Sequence, residues 1–130
     1  MSAPDIPSLT DALRRRAASE TPGRTGELIH ARIAQLLGAP SPVDDDLDAQ
    51  VRGWPNGDDF SEAERAVLTV AEQMVVDAHG VGDDDVARLR HHYEPATVVA
   101  LLMHIGLVDG FTKYELMRTS RSERVDEGEP

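Results

Sequence analysis

Apolar residues recur at helical spacing along most of this chain. Between Thr25 and Leu37, the residues Ile29, Ile33, Leu36 and Leu37 share one stripe of a 3.6-residue helix. Gly38 follows, placed as the left-handed residue that ends such a helix. A second stripe, built from Ala63, Ala66, Val67, Val70, Ala71, Met74 and Val75, is preceded by Ser61-Glu62-Ala63-Glu64, the pattern of a capping box. This helix is expected to end near His79-Gly80, with Phe60 placed ahead of it to staple against the stems of Arg65 or Ala66. A shorter helix, capped by Asp83, is expected to carry Val86, Leu89 and Tyr93. Glu94-Pro95 opens the last helix, because proline suits the first helical position. That helix is expected to reach about Arg118. Between Val98 and Val108 it is apolar almost all round, which predicts a place at the centre of a bundle or at a subunit interface.

The remaining segments carry weaker patterns. Ser8-Leu9-Thr10-Asp11 predicts a short helix to about Ala18, broken at Thr21-Pro22-Gly23. Residues 39–57 form a long connection stiffened by Pro40, Pro42 and Pro55, acidic at Asp44, Asp45, Asp46 and Asp48, with a short helix over Leu47–Val51. From Thr119 onward no core-forming pattern exists, and the segment is read as a disordered acidic tail. The chain thus divides into an N-terminal segment with a short helix over 1–24, a helical domain over 25–118, and a tail over 119–130.

Composition narrows the function. The chain has 130 residues, enough for one domain with a sizeable core. Aromatics are only 4%, so the core must be built from Ala, Val, Leu and Ile, which favours packed helices. A net charge of -11 argues against nucleic acid and against an anionic membrane surface. Residues 1–8 lack the basic and apolar regions of a signal peptide, and the apolar run 96–108 is short for a bilayer. A cytoplasmic protein is the expectation. The chain contains no cysteine, which excludes disulfides, thiolate metal sites and thiol catalysis by its own residues.

Three stretches, taken in order, carry a family resemblance: Glu27 to Gly38; Trp54 with Phe60-Ser61-Glu62-Ala63-Glu64-Arg65-Ala66-Val67-Leu68 and Ala71-Glu72; and Val86 to Arg90 followed by Val98 to Leu102. Together they span roughly 25–117, and the chain resembles the carboxymuconolactone decarboxylase and alkylhydroperoxidase D (AhpD)-like superfamily. The resemblance implies an all-α bundle of about five or six helices, assembled as a homo-oligomer, a trimer or hexamer. It also implies that redox members carry Cys-x-x-Cys after the first long helix, with a glutamate twelve residues before the first cysteine. Here Glu27 stands twelve residues before Ala39, while Ala39 and Pro42 occupy the two cysteine positions. Asp46 lies where a relay histidine often sits. Thiol-disulfide exchange needs a thiolate, so peroxidase chemistry of the family type is not expected.

Several side chains remain as candidates. Glu27 is either a site carboxylate or a first-turn glutamate favoured by the helix dipole, with His30 one turn away. His104 interrupts the apolar run Leu101-Leu102-Met103-His104-Ile105, as a pocket base or as a satisfied core histidine. Asp109 and Lys113 are spaced as an i,i+4 pair that could instead charge a pocket mouth. Glu72 reads as solvent-facing unless Arg32 or His104 pairs with it, and Trp54 reads as a pin for the long loop rather than a pocket wall. His91-His92 lacks the i,i+4 spacing of helical metal ligands, and the two Asp runs lack EF-hand spacing, so no metal and no cofactor is expected. The resulting expectation is a non-redox, cofactor-independent lyase, decarboxylase or isomerase acting on a small carbonyl or lactone. Glu27 and His104 are the proton-transfer candidates, and His30, Asp46 and Lys113 are the accessories. The alternative is a non-catalytic binding or assembly protein on the same scaffold.

Overall fold

The computed structural model describes residues 23–128, with side chains through 120, together with the isolated residues Ala12 and Arg15. The helix expected over 8–18 otherwise lies outside the described residues. All regular structure in the described part is helical: α1 (Thr25–Leu37), α2 (Asp45–Arg52), a 3-10 turn (Trp54–Asn56), α3 (Glu62–Val76), a second 3-10 turn (Ala78–Gly80), α4 (Asp83–His92) and α5 (Pro95–Gly128).

Helix α1 has the bounds its pattern predicts. Gly38 ends it at φ 71° and ψ 25°, and the Ala39 N–H donates back to the Ala34 carbonyl at 2.9 Å. The buried set differs from the expected single stripe. Ile29 and Ile33 are fully buried, but so are Leu28 and Ala31, whereas Leu36 is exposed. The reason is that α1 packs on two sides. Ile29 and Ile33 join a core with Val67 and Val70 of α3 and Leu101 and Ile105 of α5. Leu28 and Ala31 join a second cluster with Val51, Trp54, Phe60 and Leu68. Burying a Leu or Ile side chain contributes about 1.5–3 kcal/mol, so α1 anchors both clusters.

The capping box of α3 forms as read: the Ser61 hydroxyl accepts from the Glu64 N–H at 3.1 Å, and the Glu64 carboxylate accepts from the Ser61 N–H at 2.9 Å. Three neighbouring expectations need correction. Phe60 enters the second cluster instead of stapling to Arg65 or Ala66, with the Arg24 guanidinium 5.1 Å above its ring. Helix α3 stops at Val76, because the Asp77 carboxylate accepts from the His79 N–H and draws the chain into a 3-10 turn. Gly82, not Asp83, is the N-cap of α4, and Asp85 accepts from its N–H at 3.1 Å. The acidic connection is likewise used as a cap: Asp44 accepts from the Leu47 N–H at 2.8 Å and starts α2.

Helix α5 begins at Pro95 as expected but runs on to Gly128, past the expected end near Arg118 and through the segment read as a disordered tail. No proline follows Pro95 within it, and no glycine lies between Gly110 and Gly128, so no residue there breaks a helix. Its apolar run is not buried all round. Val98, Leu101, Ile105 and Val108 face the core, whereas Val99 and Met103 are more than half exposed. By length and composition alone, 95–120 could cross a membrane, with a mean hydropathy of 1.5. The inward set, however, is that of a core helix packed on α1 and α3.

A polar chain ties the second cluster together. Glu72 on α3 accepts from the Trp54 indole N–H and from the Arg32 Nε, each at 2.7 Å. Arg32 continues to Gln35 at 2.9 Å, and Gln35 donates to the Asp48 carboxylate at 3.0 Å. Asp48 also accepts from the Ser41 hydroxyl at 3.1 Å. Glu72 is therefore not a solvent-facing surface charge, and Trp54 pins the long connection. Removing the acceptor would leave a cation and an indole N–H half-buried without it. Glu72→Ala is expected to lower unfolding free energy by about 2 kcal/mol, and Glu72→Gln, which keeps the acceptor oxygen, by about half of that. Urea unfolding of the two variants checks this, and equal losses would show that the indole bond contributes nothing.

Candidate functional site

The first turns of α1 carry Gly26, Glu27 and His30 on neighbouring positions, and their placement starts at Arg24. The Arg24 guanidinium donates to Glu64 at 2.8 Å and 3.3 Å and to the Asp59 carbonyl at 2.7 Å, holding the start of α1 against the start of α3. The Arg24 hydrogen bond in turn keeps the Glu64 carboxyl below the usual carboxylate range. Gly23, at φ 57°, makes the turn that leads in.

His104 reaches this end of α1 from α5. Its imidazole is buried and lies against the backbone of Gly26: a Cβ at that position would stand 2.9 Å from the ring Cε1. His30 meets the same ring edge-on, with centroids 5.5 Å apart and planes at 67°. Burial, and then the neighbouring His30, push the His104 imidazole down to about 4, so it is neutral near pH 7. These groups border an open cavity of about 300 Å³ whose walls are Gly23, Gly26, Glu27, His30 and His104, with Pro42 and Val43 from the loop after α1. Ala39 borders a separate cavity of about 320 Å³, and His30 borders both.

Of the five side chains singled out in the sequence, Glu27, His30 and His104 line one cavity and Asp46 and Lys113 do not. Asp46 is exposed in the first turn of α2, where its charge suits the helix dipole. Lys113 pairs with Asp109 at 3.0 Å and donates to the Val75 carbonyl at 3.2 Å, closing the end of α3. Gly26 was missed, and it has a signal in sequence: a glycine inside a helical pattern marks a close approach. Among the described residues, no lysine or arginine lines the cavity, and no group of three or more His, Asp or Glu could hold a metal ion.

No protein-family model and no curated protein matches the chain. A solved structure does. It is a protein of unknown function from Agrobacterium tumefaciens, described as a candidate antioxidant defence protein AhpD, with a TM-score of 0.74 over 88% of each chain at 19% identity. The fold is AhpD-like. At that identity the likeness concerns the path of the backbone. In this fold Glu27, His30 and His104 meet beside the loop after α1.

Two outcomes test the His104 environment. Folded His104 takes its proton near pH 4, against 6.5 for an ordinary imidazole. Between those values the unfolded chain binds a proton that the folded chain refuses. The group therefore lowers stability as pH falls from about 6.5 to about 4, by at most ~1.4 kcal/mol per unit, and has no such effect above. His104→Gln is expected to flatten that part of the urea-unfolding profile, and an unchanged slope would refute the assignment. Gly26→Ala separates contact from propensity. Helix propensity alone favours alanine by about 1 kcal/mol. A net loss of stability in thermal unfolding is expected, because the added methyl meets the His104 ring.

Proposed function

We propose that this AhpD-like chain is a non-redox, cofactor-independent enzyme, a lyase or isomerase that moves a proton on a small neutral carbonyl or lactone. The observation that carries the reading is the convergence of Glu27, His30 and His104 on one cavity of about 300 Å³, at the lower end of the range for small-molecule sites. Glu27, on the exposed wall, serves as the base. It removes a proton from the carbon next to the carbonyl, and the electron pair of that C–H bond passes to the carbonyl oxygen. An imidazole N–H, of neutral His104 or of His30, donates to the oxygen as charge develops there. Where the substrate carries a β,γ double bond, the enolate is a dienolate, and returning the proton from Glu27 to its γ carbon re-forms the carbonyl with the double bond moved to α,β, an isomerisation with no redox change and no other reactant.

Decarboxylation is the less supported branch, since an anionic substrate would meet Glu27 with no lysine or arginine on the described walls. Thiol peroxidase chemistry is outside the reach of a chain without cysteine. A homo-oligomer, trimer or hexamer, forms part of the reading, supported by the exposed Val99 and Met103 on α5.

The test uses a β,γ-unsaturated butenolide in deuterated water, with NMR following isomerisation and deuterium uptake at the carbon next to the carbonyl. The wild-type chain is expected to accelerate both. Glu27→Gln should lose about 100-fold or more of that rate with unchanged thermal unfolding. Equal rates in the two proteins would sink the assignment. Binding of the butenolide without any exchange would favour a non-catalytic binding protein on the same scaffold.

A further inference from the structure

The second cavity is absorbed by no step of that reaction. One wall is a single face of α5, on which Val108, Phe111, Thr112, Glu115 and Leu116 recur at helical spacing. Facing it are Ala39 and Pro40, from the loop after α1, and His30. Val108 is buried, and Phe111, Thr112 and Leu116 are half-buried. His30 also borders the first cavity, so the two spaces share one imidazole. The loop 39–43 follows both: Ala39 and Pro40 border the second, Pro42 and Val43 the first.

We propose that the second cavity, of about 320 Å³, is a subsite for the neutral, apolar tail of the substrate whose carbonyl or lactone head sits beside Glu27 and His104. The proposal rests on the catalytic reading for the identity of the head. Three features set the class of the tail. The lining is mainly aliphatic and aromatic, which rewards methylene groups. Among the described residues its one charged member is Glu115, already paired with Arg118 at 3.0 Å, so no unpaired cation on these walls would hold a carboxylate at the end of a tail. Ala39 and Pro40 present an apolar loop surface on the wall opposite α5. The substrate class is therefore a lactone or ketone carrying an uncharged alkyl chain of several carbons, and the two cavities together fall within the ordinary size of a small-molecule site.

The experiment measures affinities of the intact chain for γ-butyrolactone, for γ-lactones with butyl and hexyl tails, and for a lactone whose tail ends in a carboxylate, using ligand-observed NMR titration. Affinity is expected to rise about threefold per added methylene, and the carboxylate-ended tail is expected to lose most of that gain. Leu116→Trp fills the subsite from α5, and Ala39→Phe fills it from the opposite wall. Each should abolish the dependence on tail length while leaving γ-butyrolactone affinity within twofold. Far-UV circular dichroism confirms the helical fold of each variant, and one folded variant suffices. Affinity independent of tail length overturns the proposal, as does a length dependence that survives in the folded variant. The catalytic reading is judged separately. Length dependence blocked by the variants but without butenolide exchange would support the subsite and refute the catalysis. Exchange without length dependence would do the reverse.

Discussion

Helix α1 is held on two sides at once. Leu28 and Ala31 enter one apolar cluster while Ile29 and Ile33 enter the other. A helix packed on one side can tilt or slide along its partner. One packed on two sides has its rotation and register set by both, because interiors are too dense to admit a compromise. Arg24 fixes its start through Glu64 and Asp59, and Arg32 fixes its middle through Glu72. The positions of Gly26, Glu27 and His30 follow from that placement. Their relation to His104 follows from the packing of α5 on the same helix.

The loop after α1 is constrained by the same elements. Its Ser41 hydroxyl bonds to Asp48, which the Gln35 amide of α1 also engages. Gln35, and after it Arg52, hold the Asp48 carboxyl below its ordinary range. In a thiol-bearing protein this loop would need to present reactive sulfur. Here Ala39, Pro40 and Pro42 present apolar surface to two cavities, and a polar chain through Glu72 and Trp54 anchors the segment behind it. The loop thus lines both cavities with apolar side chains, and the first cavity adds one carboxylate and two imidazoles.

Much of the helical order was legible because local rules act over one turn. Gly38 ends α1, Ser61 with Glu64 caps α3, and Pro95 opens α5, each through backbone groups a few residues away. Errors arose where a side chain chose between local partners. Asp77 ended α3 early, Gly82 with Asp85 displaced Asp83 as the cap of α4, and Phe60 left its staple for a core across the loop. In the site, Glu27 and His30 were legible as neighbours one turn apart, and His104 as the polar break in an apolar run. Asp46 stands exposed in the first turn of α2, away from both cavities, because Asp44 starts a new helix there. Lys113 was legible only as the partner of Asp109, which is what it is.

By itself the sequence determined the helical class, most of the helix limits and the exclusion of thiol chemistry. Periodicity, caps and the absence of an element are properties of neighbouring residues or of composition. Only the tertiary structure decided that α1 would be buried on two sides, that His104 would lie on Gly26 and be neutral, and that His30 would border two cavities. Those facts depend on contacts between residues far apart in the chain. Burial then decides which of many similar side chains is desolvated, and so which of them carries altered chemistry.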